Sequence, residues 1–270
     1  MFANWGCESL KWQVLISHIQ PISFLKAFRA ILSGLSVSLA MNTPNGTGEY
    51  VGRILYINEG NRLRAITLTF VGSISQLIVT MVLGIIGIFL LREHLNSATT
   101  VSVFLVKWSD ALAYASIAIT IALVFIYFKI GVLIRLLEKI PFVSKYTYFI
   151  QKLEDFGWKE LLKVLLISLL RYSVFVVQYL LLLQVFHVGL DPITSVWLIA
   201  IMFLALAIIP TIALAELGVR GKISIFLFGM FSTNTLGIVL TASSIWLINL
   251  VVPALAGSLF ILGLKLFRNK

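Results

Sequence analysis

Long apolar stretches alternate with short polar ones along most of the chain. A helix needs about 20 mostly apolar residues to cross a lipid bilayer, and windows of that length recur throughout the sequence. The stretches at 66–91 and 110–134 show this pattern most clearly. The predicted membrane spans are 24–43, 66–91, 110–134, 161–186, 193–209, 223–242 and 245–267.

The composition is that of an integral membrane protein. Of the 270 residues, 60% are hydrophobic and 12% are charged, and the mean hydropathy is +1.02, whereas soluble domains are about half apolar and a quarter charged. We therefore predict an all-α fold, a polytopic helical bundle in which residues 1–270 form one transmembrane domain. The lone Cys7 excludes an intramolecular disulfide.

The basic residues lie mainly in short loops between the apolar stretches. They give the net charge of +10, and in such loops they indicate orientation and anionic-lipid contacts rather than nucleic-acid binding. The strongest cluster, at 135–163, is predicted to be cytoplasmic, with an amphipathic interfacial connector at about 135–160. Alternation from there places the start of the chain outside, although Lys11, Lys26 and Arg29 lie there. An unrecognised first span would remove this conflict.

Two short polar stretches, 44–57 and 210–221, interrupt the apolar pattern in the same way. Each has a proline, followed by a glutamate and an arginine that are four residues apart. Shifting the sequence by 167 positions superimposes these charged residues: Glu49 on Glu216 and Arg53 on Arg220. The match predicts two pseudo-repeats with broken-helix or re-entrant segments, at about 24–134 and 161–267. We expect neither polar stretch to cross the bilayer.

Elementary chemistry explains what each interruption would do. Proline ends a helix, so the spans should break near Pro44 and Pro210, and Gly46 and Gly48 permit a sharp change of direction. A glutamate and an arginine four residues apart lie on one face of the next helix. Broken helices persist at membrane depth only where protein buries them or where they line a wet cavity. The pairs either close cytoplasmic loops as interfacial salt bridges or face a polar cavity that admits part of a substrate.

The same residues carry a resemblance to a known family. The stretch "NTPNGTGEYVGRILYI" resembles the proline, glycine, glutamate and arginine signature of the lysylphosphatidylglycerol synthase transmembrane region, whose stand-alone relatives are called flippase-like proteins. The stretch "IIPTIALAELGVRGKISIFLFG" is similar to the second signature of that family, with its break followed by Gly218, Val219 and Arg220. The likeness extends over roughly residues 10 to 267.

The resemblance implies a function in lipid movement. In two-part members, these helices move an aminoacylated phospholipid between leaflets, while a soluble domain, which this sequence does not show, makes the lipid. The resemblance thus implies a bacterial multi-pass protein of the plasma (inner) membrane that translocates an aminoacyl-phospholipid or a lipid-linked intermediate, without catalysis or cofactor. Two alternatives stay open: a non-transporting lipid-binding scaffold, and an intramembrane lipid-linked transferase with a glutamate as general base.

The expected partners are a membrane phospholipid or lipid-linked substrate and a lipid-modifying enzyme, and a homo-oligomer is left open. Arg171 lies within the fourth predicted span, where an arginine indicates function by default; the alternatives are snorkelling or a structural bond. His18, His94 and His187 share no metal-ligand spacing, so no metal site is predicted. The candidate substrate-binding and translocation residues are Pro44, Gly46, Gly48, Glu49, Arg53, Arg171, Pro210, Glu216, Gly218 and Arg220.

Overall fold

The computed structural model describes residues 1–43, 46–92, 103–129 and 157–268, and their regular elements are helices. They include one short 3₁₀ helix and one π-helical segment. The helices are α1 Phe2–Ile16, α2 Phe24–Met41, α3 Gly48–Ile54, 3₁₀ Glu59–Asn61, α4 Arg62–Leu90, α5 Val103–Phe128, α6 Trp158–Val185, α7 Pro192–Ile208, α8 Ala213–Phe228, α9 Thr235–Trp246, π Leu247–Val251 and α10 Val252–Arg268.

Within these ranges, four helical stretches are long and apolar enough to cross a membrane. Two shorter apolar helices accompany them, Tyr114–Phe128 and Pro192–Ile208. The predicted all-α, polytopic membrane bundle is therefore confirmed. The four long stretches are Phe24–Met41, Glu59–Leu90, Trp158–Val185 and Thr235–Gly263.

The predicted spans agree with α2, α4, α6 and α7 to within a few residues at most ends. The span predicted at 110–134 is displaced, because α5 already begins at Val103 and ends at Phe128. Residues 130–134 lie outside the described residues, as does the predicted connector at 135–160 up to residue 156.

The predicted division into spans 223–242 and 245–267 is wrong. The chain breaks between α8 and α9, at residues 229–234, and then runs on as one helical stretch from α9 to α10. Asn234 fixes this break: its side chain accepts from the amide of Gly237 and donates to the carbonyls of Phe186 and His187. A side chain that caps one helix and ties it to the loop between α6 and α7 ends the helical path there.

Helix α1 buries one face in the bundle, and the sequence did not predict this helix. It packs against α2, α4 and α6, and Trp12 donates from its indole nitrogen to the Thr69 hydroxyl at 2.9 Å. Its buried face carries the polar side chains of Asn4, Glu8 and Lys11. These residues lower its hydropathy, which is why an apolar window misses this helix.

Helices α3 and α10 both approach α2 at backbone distance. A Cβ atom on Gly52 of α3 would lie 2.5 Å from the Cα atom of Gly34 in α2. A Cβ atom on Gly257 of α10 would lie 1.9 Å from the carbonyl oxygen of Leu32. Only glycine permits contacts this close, so these residues set the positions of α3 and α10 on α2.

The contact between α4 and α7 also depends on glycine. A Cβ atom on Gly84 would lie 2.5 Å from the Cβ atom of Leu204, and one on Gly87 would lie 3.0 Å from the Trp197 carbonyl oxygen. The two helices therefore pack with little space between their backbones. This contact brings the second polar interruption next to α4.

The π-helical segment Leu247–Val251 lies just before a proline. Pro253 has no amide hydrogen to donate to the carbonyl of Asn249, four residues earlier, and such a gap favours a wider turn. The Asn249 side chain is buried inside the bundle, where its amide donates to Gln178 Oε1 at 3.0 Å and to the carbonyl of Ile245 at 3.1 Å. The π turn thus presents a polar side chain to α6.

Candidate functional site

The first interruption is a tight turn that ends α2 and begins α3. Asn42 follows α2 in the left-handed conformation, with φ of 48°, and Gly46 has φ of 71°. The Thr43 hydroxyl accepts from the amide of Gly48 at 2.7 Å, which fixes the start of α3. Pro44 lies outside the described residues. At seven residues, α3 is about 10 Å long, far short of a span of about 30 Å.

Arg53 of α3 is buried between two carboxylates. Its guanidinium donates to Glu49, one turn earlier, and to Glu8 Oε1 of α1 at 3.1 Å. Only 5% of the Arg53 side chain is exposed, and its Nε has no hydrogen-bond partner among the described residues. The predicted pair on one helical face is present, and a third group from α1 joins it.

Glu8 binds three cations from three helices. Besides Arg53, its carboxylate accepts from Lys11 Nζ at 2.7 Å and from Arg171 of α6 at 2.7 Å. Lys11 also donates to the carbonyl of Gly72 in α4 at 3.2 Å. Buried carboxylates and cations persist only when they are paired in this way. Glu8 therefore joins α1 to α3 and to α6.

Arg171 does not snorkel to the membrane surface. Its Nε donates to Asn4 Oδ1 at 2.9 Å, while a terminal nitrogen binds Glu8. The guanidinium also lies over two aromatic rings, 5.1 Å from the centroid of Trp5 and 5.7 Å from that of Phe175. These contacts hold the arginine in the bundle interior by ion pairing and by cation–π attraction.

The second interruption also forms the predicted pair. Arg220 of α8 binds Glu216 one turn earlier, and it donates to the hydroxyl of Tyr179 in α6 at 3.2 Å. The interruption is not a separate short segment, because residues 213–221 are the first half of α8. The indole of Trp246 donates to the carbonyl of Ala213 at 3.2 Å and holds the start of this helix.

Both interruptions border one cavity of about 420 Å³. Its charged lining includes the carboxylates of Glu49 and Glu216, so the two turns face a common space. Helix α4 contributes polar side chains at helical spacing, Thr69, Ser73, Gln76 and Thr80. The remaining lining residues are Glu8, Lys11, Ser38, Gly46, Tyr50, Arg53, Leu77, Arg171, Leu206, Ala207, Thr211, Ala213 and Leu250.

A polar cavity bordered by two proline-containing Glu-x-x-x-Arg turns inside an apolar bundle agrees with the resemblance found in the sequence. The family model described as Lysylphosphatidylglycerol synthase TM region matches residues 1–262 of the chain. The chain belongs to this family. No curated protein and no solved structure matches it. Membership in the lysylphosphatidylglycerol synthase TM region family and the apolar helices together make it a multi-pass membrane protein.

The structure brings half of the predicted site residues to the cavity. Those that line it are Gly46, Glu49, Arg53, Arg171 and Glu216.

Four of the other predicted residues lie elsewhere, and the fifth, Pro44, is outside the described residues. Arg220 stands behind Glu216, outside the lining. Gly48 packs on α2, where an added Cβ atom would lie 2.7 Å from the Cα atom of Ser38. Pro210 and Gly218 are exposed, and a Cβ atom on Gly218 would meet no described atom within 4 Å.

Several polar residues of the site were not predicted from the sequence. Glu8, Lys11 and Asn4 come from α1, and Asn249, whose Oδ1 accepts from Asn4 at 2.9 Å, comes from the π turn. One signal could have found the first of them: a glutamate and a lysine three residues apart, among apolar and aromatic neighbours. Across the described ranges, no group of three His, Cys, Asp or Glu residues could hold a metal ion.

Proposed function

We propose that the protein moves a membrane lipid, an aminoacyl-phospholipid or a lipid-linked intermediate, between the leaflets of the plasma (inner) membrane. The headgroup passes through the polar cavity while the acyl chains stay in the bilayer. One observation carries this proposal: two similar charged turns, far apart in the sequence, border one cavity within a bundle of apolar helices. The two pseudo-repeats predicted from the sequence are part of the same proposal.

The polar side chains of α4 suit a headgroup that travels along the cavity. Thr69 and Thr80 are 11 residues apart on one helical face, and Ser73 and Gln76 lie between them. At 1.5 Å per residue, these hydroxyl and amide groups extend over about 16 Å, roughly half of a hydrocarbon core of about 30 Å. Neutral groups can bind a headgroup at several points without holding it as tightly as a charge would.

The charged lining suits both parts of an aminoacylated headgroup. Arg53 and Arg171 offer planar guanidinium groups, which match the oxygens of a phosphodiester. The side chains of Glu49 and Glu216 are more accessible, at 26% and 30% exposure, and carboxylates attract an amine. A separate enzyme that makes or modifies the lipid would then supply the substrate.

A lipid-binding scaffold is the second candidate. Arg53, Arg171 and Arg220 are each already bound to a carboxylate. A network of this kind can retain a lipid or a partner enzyme without moving anything across the bilayer. No separate observation favours the third interpretation, an intramembrane transferase.

Lipid exchange in vesicles tests the proposal. The purified protein is reconstituted, and the loss of a headgroup-labelled lipid from the inner leaflet is followed with a membrane-impermeant quencher. The parent protein should accelerate exchange without changing the lipid covalently. Arg53→Lys and Arg171→Lys keep the charge but lose the planar fork, so exchange should fall about tenfold or more in each.

The matched control is Arg62→Lys, in a side chain that is 37% exposed and pairs with Glu59 away from the cavity. Exchange should be unchanged in this variant. Retention of lipid without exchange would favour the scaffold, and a covalently altered lipid would favour the transferase. Parental exchange in both cavity variants would contradict the role of the arginines.

A further inference from the structure

Glu8 lies where a bound anion would lie. Three cations from three helices, Lys11, Arg53 and Arg171, converge on this one carboxylate, and all four side chains line the cavity. We propose that Glu8 is a resident counter-ion that occupies an anion site, and that the phosphodiester of an anionic lipid competes with it there. The lipid as ligand rests on the proposed function, whereas the anion site rests on the contacts alone.

The charge count leaves room for one more anion. Among the described residues of the two turns and the Glu8 cluster, the cations are Lys11, Arg53, Arg171 and Arg220, and the carboxylates are Glu8, Glu49 and Glu216. Four positive charges and three negative charges give a net charge of +1. An uncompensated charge in a protein interior is costly. A phosphodiester carries one negative charge and would bring the site to neutrality.

The hydrogen-bond donors of the site are also incompletely used. Only 5% of the Arg53 side chain is exposed, and its Nε has no acceptor within the described part of the chain. The indole nitrogen of Trp5, whose ring lies under Arg171, is also buried and unpartnered there, but Trp5 does not line the cavity. Buried donors without acceptors are rare in folded proteins. A phosphodiester offers several acceptor oxygens to such groups.

This arrangement makes Glu8 the residue that sets how tightly the site holds an anion. Without Glu8, the cations would hold a phosphodiester strongly and release it slowly. With Glu8 in place, the carboxylate replaces the phosphodiester as the lipid leaves, so the cations are not left unpaired. A lipid of net charge −1 should bind more tightly than a zwitterionic one, because only the former neutralises the site. Of the two proposed substrates, this favours an anionic lipid-linked intermediate over an aminoacyl-phospholipid, whose amine offsets its phosphodiester.

Binding in detergent tests the ligand class. The purified protein in a neutral detergent is titrated with dihexanoyl phosphatidylglycerol, with dihexanoyl phosphatidylcholine and with inorganic phosphate, and native mass spectrometry reports the bound fraction. The anionic lipid should bind about tenfold more tightly than the zwitterionic one, and inorganic phosphate more weakly than either lipid. Inorganic phosphate binding as tightly as the anionic lipid would show a free-anion site and overturn the lipid assignment.

Charge variants test the role of Glu8 itself. Glu8→Gln raises the net charge of the site to +2 and should tighten binding of the anionic lipid about tenfold. Lys11→Met lowers it to 0 and should weaken binding about tenfold. The double variant restores +1 and should bind within about threefold of the parent. Glu59→Gln is the matched control, since Glu59 also pairs with an arginine, Arg62, but is 79% exposed.

A merely structural role for Glu8 predicts a different order. Both single variants would then lose binding, and the double variant would lose most; that result overturns the proposal, as does unchanged or weaker binding by Glu8→Gln. If Glu8→Gln does not fold alone, the double variant should fold and bind like the parent, and its failure to do so also overturns the proposal.

The binding test and the exchange test fail independently. If the charge variants follow the expected order but the parent protein exchanges no lipid, the counter-ion proposal is supported and the translocation proposal is contradicted. If lipid exchange occurs but the charge variants do not follow the order, translocation stands and the counter-ion fails.

Discussion

Arg53 and Arg220 occupy matching places in two similar turns, yet their second partners differ. Each guanidinium binds the glutamate one turn earlier. Arg53 then meets a second carboxylate, Glu8 of α1, whereas Arg220 meets the neutral hydroxyl of Tyr179 in α6. The side chain of Arg53 is 5% exposed and that of Arg220 is 12% exposed.

The difference shows that a local motif does not determine its own electrostatic environment. The glutamate four residues before each arginine follows from the sequence of one helix, but the second partner comes from a helix distant in the chain. At the first turn, that partner is Glu8, which also binds two more cations, Lys11 and Arg171. At the second turn, the partner is the uncharged hydroxyl of Tyr179. The first turn should therefore depend more strongly on its arginine than the second.

Removal of each arginine is the strongest test of this contrast. Arg53→Ala removes one of the three cations that bind the buried Glu8 carboxylate, and it also removes the partner of Glu49. It should destabilise the protein by about 3 kcal/mol, the lower end of the usual cost of breaking a buried pair. Arg220→Ala leaves only Glu216 unpaired, and this side chain is 30% exposed and can be hydrated. The loss of stability should therefore be about half as large or less. Thermal unfolding in detergent measures both, and equal losses would contradict the contrast.

A pair of glycine substitutions compares the space around α3 and α8, the helices that carry the two arginines. Gly52→Ala places a methyl group 2.5 Å from the Gly34 Cα atom. Overpacking should therefore lower the stability of this variant by about 1–3 kcal/mol or more. Gly218→Ala meets no described atom within 4 Å and should gain up to about 1 kcal/mol, because alanine favours a helix over glycine. Unfolding midpoints that shift together in one direction would count against this difference.

The smallest expected effect concerns the neutral partner of Arg220. Tyr179→Phe removes a buried hydroxyl that accepts from the guanidinium and should destabilise the protein by about 1 kcal/mol. Tyr172→Phe is the control, because the Tyr172 hydroxyl is buried without a partner in the described structure; its loss should be neutral or stabilising. Chemical denaturation of both variants in one detergent measures the difference, and a larger loss in Tyr172→Phe would be inconsistent with these roles.

Local patterns predicted much of the fold and part of the site. Apolar windows gave α2, α4, α6 and α7, because membrane spans follow from hydropathy alone. Both glutamate–arginine pairs, at 49 and 53 and at 216 and 220, formed as predicted, since residues four apart on a helix are neighbours whatever surrounds them.

The remaining features depend on partners that are far away in the sequence. Glu8 meets Arg53 over 45 positions and Arg171 over 163, and no local pattern specifies such pairings. The break before α9 depends on Asn234 reaching two carbonyls 47 and 48 positions earlier. Helix α1 was missed because Glu8 and Lys11 are polar in isolation, and only their mutual pairing makes their burial favourable.

The π turn at Leu247–Val251 makes the fit of α10 on α2 depend on a count of residues. A residue advances an α-helix by about 100° around its axis, and a π turn arises where one residue is inserted into an α-helix. Deleting one residue there would therefore rotate Val252–Arg268 by about 100° relative to α9. Gly257 would turn away from the Leu32 carbonyl, and a bulkier neighbour would take its place. Insertions and deletions should be tolerated in the loops of this protein but not in this turn.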